Sequence, residues 1–193
     1  MKSIILASNS PRRKVLLEIA GVPFIVEKSP YEEPAHTDED PYEFVKQLAY
    51  QKALSVAKIH RDAIVIGADT TIVCDGIVCE KPGTPERAKE MLRLLSGKKH
   101  AVITGYAIID LNRGMNAADV ETSYVWFKKL SDKNIDWYVA TGEPLDKAGA
   151  YAIQEQGKKF IEKVEGDYDN VVGLPVKKVL ETLRTKFSIK PLE

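Results

Sequence analysis

Apolar residues along this chain fall into two rhythms, short unbroken runs and stripes spaced three and four apart, and the two alternate from end to end. Ile4, Ile5 and Leu6 form the first run, too short for a helix, and predict a buried strand. Ser10 follows as an N-cap, Pro11 as a first helical residue and Gly21 as a C′ glycine, so a helix is predicted over residues 11–20. Residues 24–26 read as a second short strand. Asp40-Pro41-Tyr42-Glu43 resembles a capping box with proline at the first helical position and predicts a long helix from 41 to about 59. Val45, Leu48, Ala49, Ala53 and Val56 mark its buried face, and Lys52 falls in the middle of that stripe. A lysine there either snorkels to solvent or serves a site.

Ala63-Ile64-Val65-Ile66-Gly67 is an apolar run of the kind a central strand shows when both faces are covered. Ala68-Asp69-Thr70 comes next, which puts Asp69 just beyond the strand end, either capping a turn or facing a ligand. Asp75-Gly76 is a type I′ hairpin signal between residues 71–74 and 77–79; it sets Cys74 opposite Ile77, so Cys74 and Cys79 are not direct partners. Lys81 is held extended by Pro82. Thr84-Pro85-Glu86 starts a helix with Met91, Leu92 and Leu95 as its core face, ending at Ser96-Gly97. Long strands over 101–111 and 120–130 are predicted to form an antiparallel hairpin around Asn112-Arg113-Gly114. Ser131 caps a helix to about Ala140, closed by Gly142. Residues 143–154 carry weak periodicity and small side chains that permit close backbone approach to a ligand. A strand over 160–164, a loop over 166–174 and a helix from 175 to about 187 complete the pattern, with no repeat or linker.

The 193 residues are the size of one generous domain or two closely packed lobes and can bury a real core. Basic and acidic residues balance at 28 each, which argues against a protein that holds nucleic acid on a broad basic face. No apolar run nears the roughly 18 residues of a membrane span, and residues at the start lack a signal peptide's basic region and apolar core. A soluble, cytoplasmic protein is expected. The cysteines and the scattered His36, His60 and His100 lack metal-site spacing.

Candidate chemistry gathers at element ends. The free N–H groups and positive dipole end of the first helix share a small volume with Ser8, Ser10, Arg12 and Arg13, which favours a phosphate or carboxylate; a solvated basic helix start is the alternative. The cations Arg12, Arg13, Lys52, Lys81 and Lys147 and the acids Glu32, Glu33, Asp69 and Asp146 suit a phosphoanhydride with a divalent ion. In the loop after the second strand, which also holds His36 and Asp38, the question is whether Glu32 or Glu33 turns inward.

Ser8-Asn9-Ser10-Pro11-Arg12-Arg13, Gly67-Ala68-Asp69-Thr70, Glu80-Lys81-Pro82, Leu95-Ser96-Gly97, Asp146-Lys147-Ala148-Gly149-Ala150-Tyr151 and Val172-Gly173-Leu174-Pro175 resemble, in order, the signature blocks of the Maf family. The resemblance implies a house-cleaning nucleoside triphosphate pyrophosphatase that releases pyrophosphate and a monophosphate. It implies an α/β fold similar to the inosine triphosphate pyrophosphatases, with a long twisted mixed sheet flanked by helices, a cleft between two lobes, and usually a homodimer. By the same resemblance Asp69 is the proton acceptor and touches a divalent metal (Mg²⁺, Mn²⁺ or Co²⁺), Glu33 is a metal carboxylate, and Arg13, Lys52 and Lys81 bind the triphosphate beside Ser8. Arg12, Thr70 and Gln154 match the branch that acts on dTTP and UTP, including modified pyrimidines, rather than the branch that prefers 7-methyl-GTP. Glutamine can both donate to and accept from a uracil or thymine edge. Ala152 and Glu155 depart from glycines common in the family.

A different class of reading also stands: a nucleotide-sensing regulator of septum formation, with the pocket as sensor and a partner contact as output. Trp126, Phe127 and Trp137 either line a dimer surface or belong to the core.

Overall fold

The computed structural model describes residues 2–34 and 39–189. Residues 35–38, with His36 and Asp38 of the acidic loop, lie outside the described residues. In chain order the elements are β1 (Ile4–Leu6), α1 (Pro11–Ile19), β2 (Ile25–Val26), α2 (Pro41–Ile59), β3 (Ile64–Cys74), β4 (Ile77–Cys79), α3 (Pro85–Leu95), β5 (Lys99–Asp110), β6 (Met115–Phe127), α4 (Asp132–Ala140), β7 (Ile161–Glu165), α5 (Tyr168–Val172) and α6 (Val176–Lys186). Three 3-10 turns lie between α4 and β7. The strands form one mixed sheet in the order β2-β1-β3-β5-β6-β7, with β4 paired to β3.

β1 runs parallel to β2 and to β3, with Ile5 opposite Ile25 and Val65, so α1 and α2 are the crossovers that parallel pairing requires. β4 returns antiparallel on β3 with Cys74 opposite Ile77; Asp75 and Gly76 have φ of 51° and 78°, as the type I′ turn demands. Both cysteines are free and buried.

The chain divides into two compact units. The first comprises Met1–Asp69, Thr104–Glu121 and Gly173–Glu193, the second Thr70–Ile103 and Thr122–Val172. In the first, α2 packs Ala49, Ala53 and Val56 against Ile5, Val65 and Ala107. It can do so closely because two strand positions lack side chains. A Cβ on Gly67 would come within 2.8 Å of the Ala53 nitrogen, and one on Gly105 within 2.7 Å of the Lys46 nitrogen. In the second unit, Met91, Leu92 and Leu95 pack with an aromatic cluster that includes Phe127, Tyr138, Tyr151 and Phe160. Phe127 meets Tyr151 edge-on at 4.7 Å, and is core. Trp137 is 42% exposed.

Three expectations need correction. β3 does not stop at Gly67: it is an 11-residue strand, and Asp69 lies inside it rather than beyond its end. Gly-Ala-Asp reads as turn chemistry, but the β-branched Thr70 and Thr71 carry the strand on, and Gly67 makes room for α2 rather than for a turn. β6 begins at Met115, several residues early, because the turn Leu111–Gly114 closes through a Gly114 N–H to Leu111 carbonyl bond and leaves no loop to fill. The segment after Gly166 holds a short helix, α5, instead of only a loop; the Asp167 side chain accepts the Asp169 N–H and starts its turn.

Candidate active site

The first unit's polar cluster starts at the turn from β1 to α1. Ser8 Oγ accepts the Ser10 N–H at 3.1 Å, and Ser10 caps α1 by accepting the Arg13 N–H at 3.5 Å. With Pro11 at the start and no acid in the first turn, α1 leaves its positive end for an anion. Arg13 is fixed from two sides: its Nε donates to the Gly173 carbonyl at 2.7 Å and its Nη1 to Ser8 Oγ at 3.3 Å. Burial pushes the Arg13 guanidinium below its usual value, Asp69 pulls it back up, Arg12 lowers it and Glu33 raises it. It remains a cation, and its field reaches both acids.

Lys52 resolves the oddity of its helix. It does not snorkel: its side chain is 10% exposed and its ammonium lies 2.5 Å from Asp69 Oδ1 and 2.9 Å from Glu33 Oε1. The loop acid that reaches Lys52 is therefore Glu33, itself half exposed, while Glu32 is exposed. Two serines bring that loop to the helix. Ser29 and Ser55 hydroxyls lie 2.8 Å apart, Ser55 donates to the Lys52 carbonyl at 2.9 Å, and Ser29 also accepts the Tyr31 N–H.

Sequence reasoning missed these serines and the Gly173 carbonyl. A hydroxyl pair 26 positions apart leaves no local pattern, and a carbonyl leaves none at all. Arg12, half-buried on α1, belongs to the first unit, and the remaining candidates belong to the second. Thr70 is half-buried in β3, Lys81 and Gln154 are exposed, and buried Lys147 pairs with Asp146 at 2.6 Å.

Asp69 and Glu33 direct their oxygens at one positive charge, which is the donor set a Mg²⁺-like ion takes when water and phosphate supply its other positions. Among the described residues no group of three or more His, Cys, Asp or Glu side chains could hold a metal ion. Asp69 and Glu33 can supply two oxygen ligands, so an ion held there would take its other ligands from outside these two side chains.

Residues 3–186 match the family model described as Maf-like protein. The chain belongs to the Maf-like family. Among its relatives, the dTTP/UTP pyrophosphatase of Alkaliphilus oremlandii is 50% identical over all of both chains. That of Syntrophus aciditrophicus is 44% identical over 97% of this chain and 92% of its own. A nucleoside-triphosphatase (dITP/XTP pyrophosphatase) structure from Mycobacterium abscessus aligns over 97% of both chains at 12% identity with a TM-score of 0.46, a likeness too loose to add to the Maf-like match. Among the described residues no helix is long and apolar enough to cross a membrane.

Proposed function

We propose that this Maf-like chain hydrolyses dTTP and UTP, and modified forms of these pyrimidine nucleotides, to the monophosphate and pyrophosphate. The observation that carries the proposal is Lys52 buried between Asp69 and Glu33, in the same unit as Arg13 and the open end of α1. The names of the relatives support the substrate class.

Arg13, held rigid by Gly173 and Ser8, presents its guanidinium to the triphosphate, and Arg12, Lys52 and the N–H groups of α1 add to the positive field. Asp69 accepts a proton from the attacking water as the new P–O bond forms. The anhydride bond between the α- and β-phosphates breaks, and pyrophosphate leaves with the bridging oxygen. A divalent ion (Mg²⁺, Mn²⁺ or Co²⁺), held by Glu33 and Asp69, would supply Lewis-acid stabilisation of the phosphate oxygens. Lys81 is assigned to the phosphates, and Arg12, Thr70 and Gln154 to the choice of base, on the family resemblance. Gln154→Glu tests the last point, because an ionised carboxylate cannot donate to the base. The same resemblance supports a homodimer; sedimentation of the purified chain tests the assembly.

The deciding experiment is a product assay that resolves pyrophosphate from orthophosphate over a panel of triphosphates with Mg²⁺, Mn²⁺ or Co²⁺. Pyrophosphate from dTTP or UTP is expected from the wild type and not from Asp69→Asn. Nucleotide binding without turnover under every metal would replace this reading with that of a sensor.

A further inference from the structure

We infer that Lys52 is a built-in stand-in for the divalent ion, so that metal and triphosphate are admitted together and the nucleotide-free protein holds metal weakly. This deepens the function proposed above and rests on its reading of Glu33 and Asp69 as metal carboxylates.

The two acids come from separate segments, a loop and β3, yet both aim at one point, and the Lys52 ammonium fills it at 2.5 and 2.9 Å. A divalent ion bonded to the same oxygens at roughly 2.1 Å would need that point. Ion and ammonium cannot share it, since like charges so close repel strongly beside Asp69, whose side chain is largely buried. Nor does Lys52 withdraw easily. Its helix is seated tightly on the sheet at Gly67, and its side chain, 10% exposed, has carboxylates as its partners. Pulling the ammonium away with nothing to replace it breaks the 2.5 Å ion pair with Asp69, in which both side chains are largely buried, and such a break is costly.

A triphosphate changes this balance. It offers Lys52 a more highly charged partner and frees both carboxylates for the ion. The coupling is reciprocal, so metal must favour nucleotide by the factor with which nucleotide favours metal. Until substrate arrives, the acids that will act on it stay neutralised by the protein's own side chain.

The test is Mn²⁺ binding to the full chain without nucleotide, read from the electron paramagnetic resonance signal of the free ion. Lys52→Met keeps most of the stem and removes the charge; it should bind Mn²⁺ about tenfold more tightly than the wild type. Lys52→Gln is the second variant, in case the first does not fold. Arg13→Gln is the electrostatic control, because it removes a nearby charge that does not lie between the acids, and it should gain much less.

No gain in a folded Lys52 variant, or an equal gain in Arg13→Gln, overturns the stand-in while leaving the proposed hydrolysis intact. Wild-type crystals soaked in Mn²⁺ give an answer that needs no variant. Anomalous density between Glu33 and Asp69 is expected only when an α,β-imido analogue of UTP is also present, and density without the analogue overturns the inference. Absence of Mn²⁺ from those acids in every protein, analogue included, removes the metal reading itself and this inference with it.

Discussion

The two units bury their deepest polar groups in opposite ways. In the first, beside the neutral Ser8 and Thr104, two are charged: Lys52, paired with Asp69 and Glu33, and Asp110, fully buried, with Lys2 at 2.7 Å. In the second they are mostly neutral. His100, 1% exposed, shares a hydrogen bond with Tyr151 at 2.8 Å, and fully buried Asn170 donates to the Val102 carbonyl and to Ser123. Tyr138 donates to Glu143 at 2.7 Å, and Glu143 in turn accepts the N–H groups of Gln156 and Gly157. Burying charge is costly even when it is paired, and well-packed apolar residues often serve stability as well or better. On the function proposed above, the first unit carries the Lys52 cluster for what it can do to a phosphate. The second unit's network holds an irregular backbone in shape.

That contrast can be broken most severely at Asp69. Asp69→Asn should lower kcat/KM by about a thousandfold, the loss of a general base, while thermal unfolding stays near the wild type because Lys52 keeps Glu33. A large fall in melting temperature would mean that the carboxylate is structural after all.

His100, in the second unit, should show the reverse, stability without chemistry. Burial pushes His100 down to about 4, whereas an unfolded histidine titrates near 6.5. Between those values the unfolded chain binds a proton that the folded chain refuses. His100 therefore removes about 3 kcal/mol as pH falls through that window, nothing further below it, and nothing above about 6.5. Urea midpoints at several pH values read this directly. His100→Gln should flatten that part of the profile and leave kcat near the wild type.

Gly67→Ala sharpens the link between packing and site. Its Cβ would meet the α2 backbone, at a cost of about 2 kcal/mol, and shifting α2 moves Lys52, so stability and kcat should fall together. Unchanged turnover in a destabilised variant would separate the helix seat from the site. The smallest effect belongs to Tyr138→Phe. It removes a bond to a carboxylate that keeps two backbone donors, and with it a long 3.4 Å acceptor for the Ala152 N–H, so denaturant titration should show a loss of about 1.5 kcal/mol with normal kinetics.

Much of this was legible in the chain itself. The capped starts at Ser10, Asp40, Thr84 and Ser131, the I′ turn at Asp75-Gly76 and the stripe of α2 are local signals, and each sits where its local chemistry put it. Lys52 was visible as a charge on an apolar face. What failed was also local in cause. Gly-Ala-Asp looked like a turn because a glycine needed for close packing and a glycine needed for positive φ are the same letter. α5 is only five residues long, too short to print a periodicity.

The sequence by itself determined where the capped helices begin, which residue types could meet an anion, and the family whose blocks it carries. Only the tertiary structure decided that Glu33 and not Glu32 reaches Lys52, that Ser29 and Ser55 draw its loop to α2, that the Gly173 carbonyl holds Arg13, and that one ammonium sits between two acids. The reason is range. Capping and periodicity act within a turn or two of chain, whereas these contacts join positions from 17 to 160 residues apart and exist only once the packing of α2 on the sheet has set their distances.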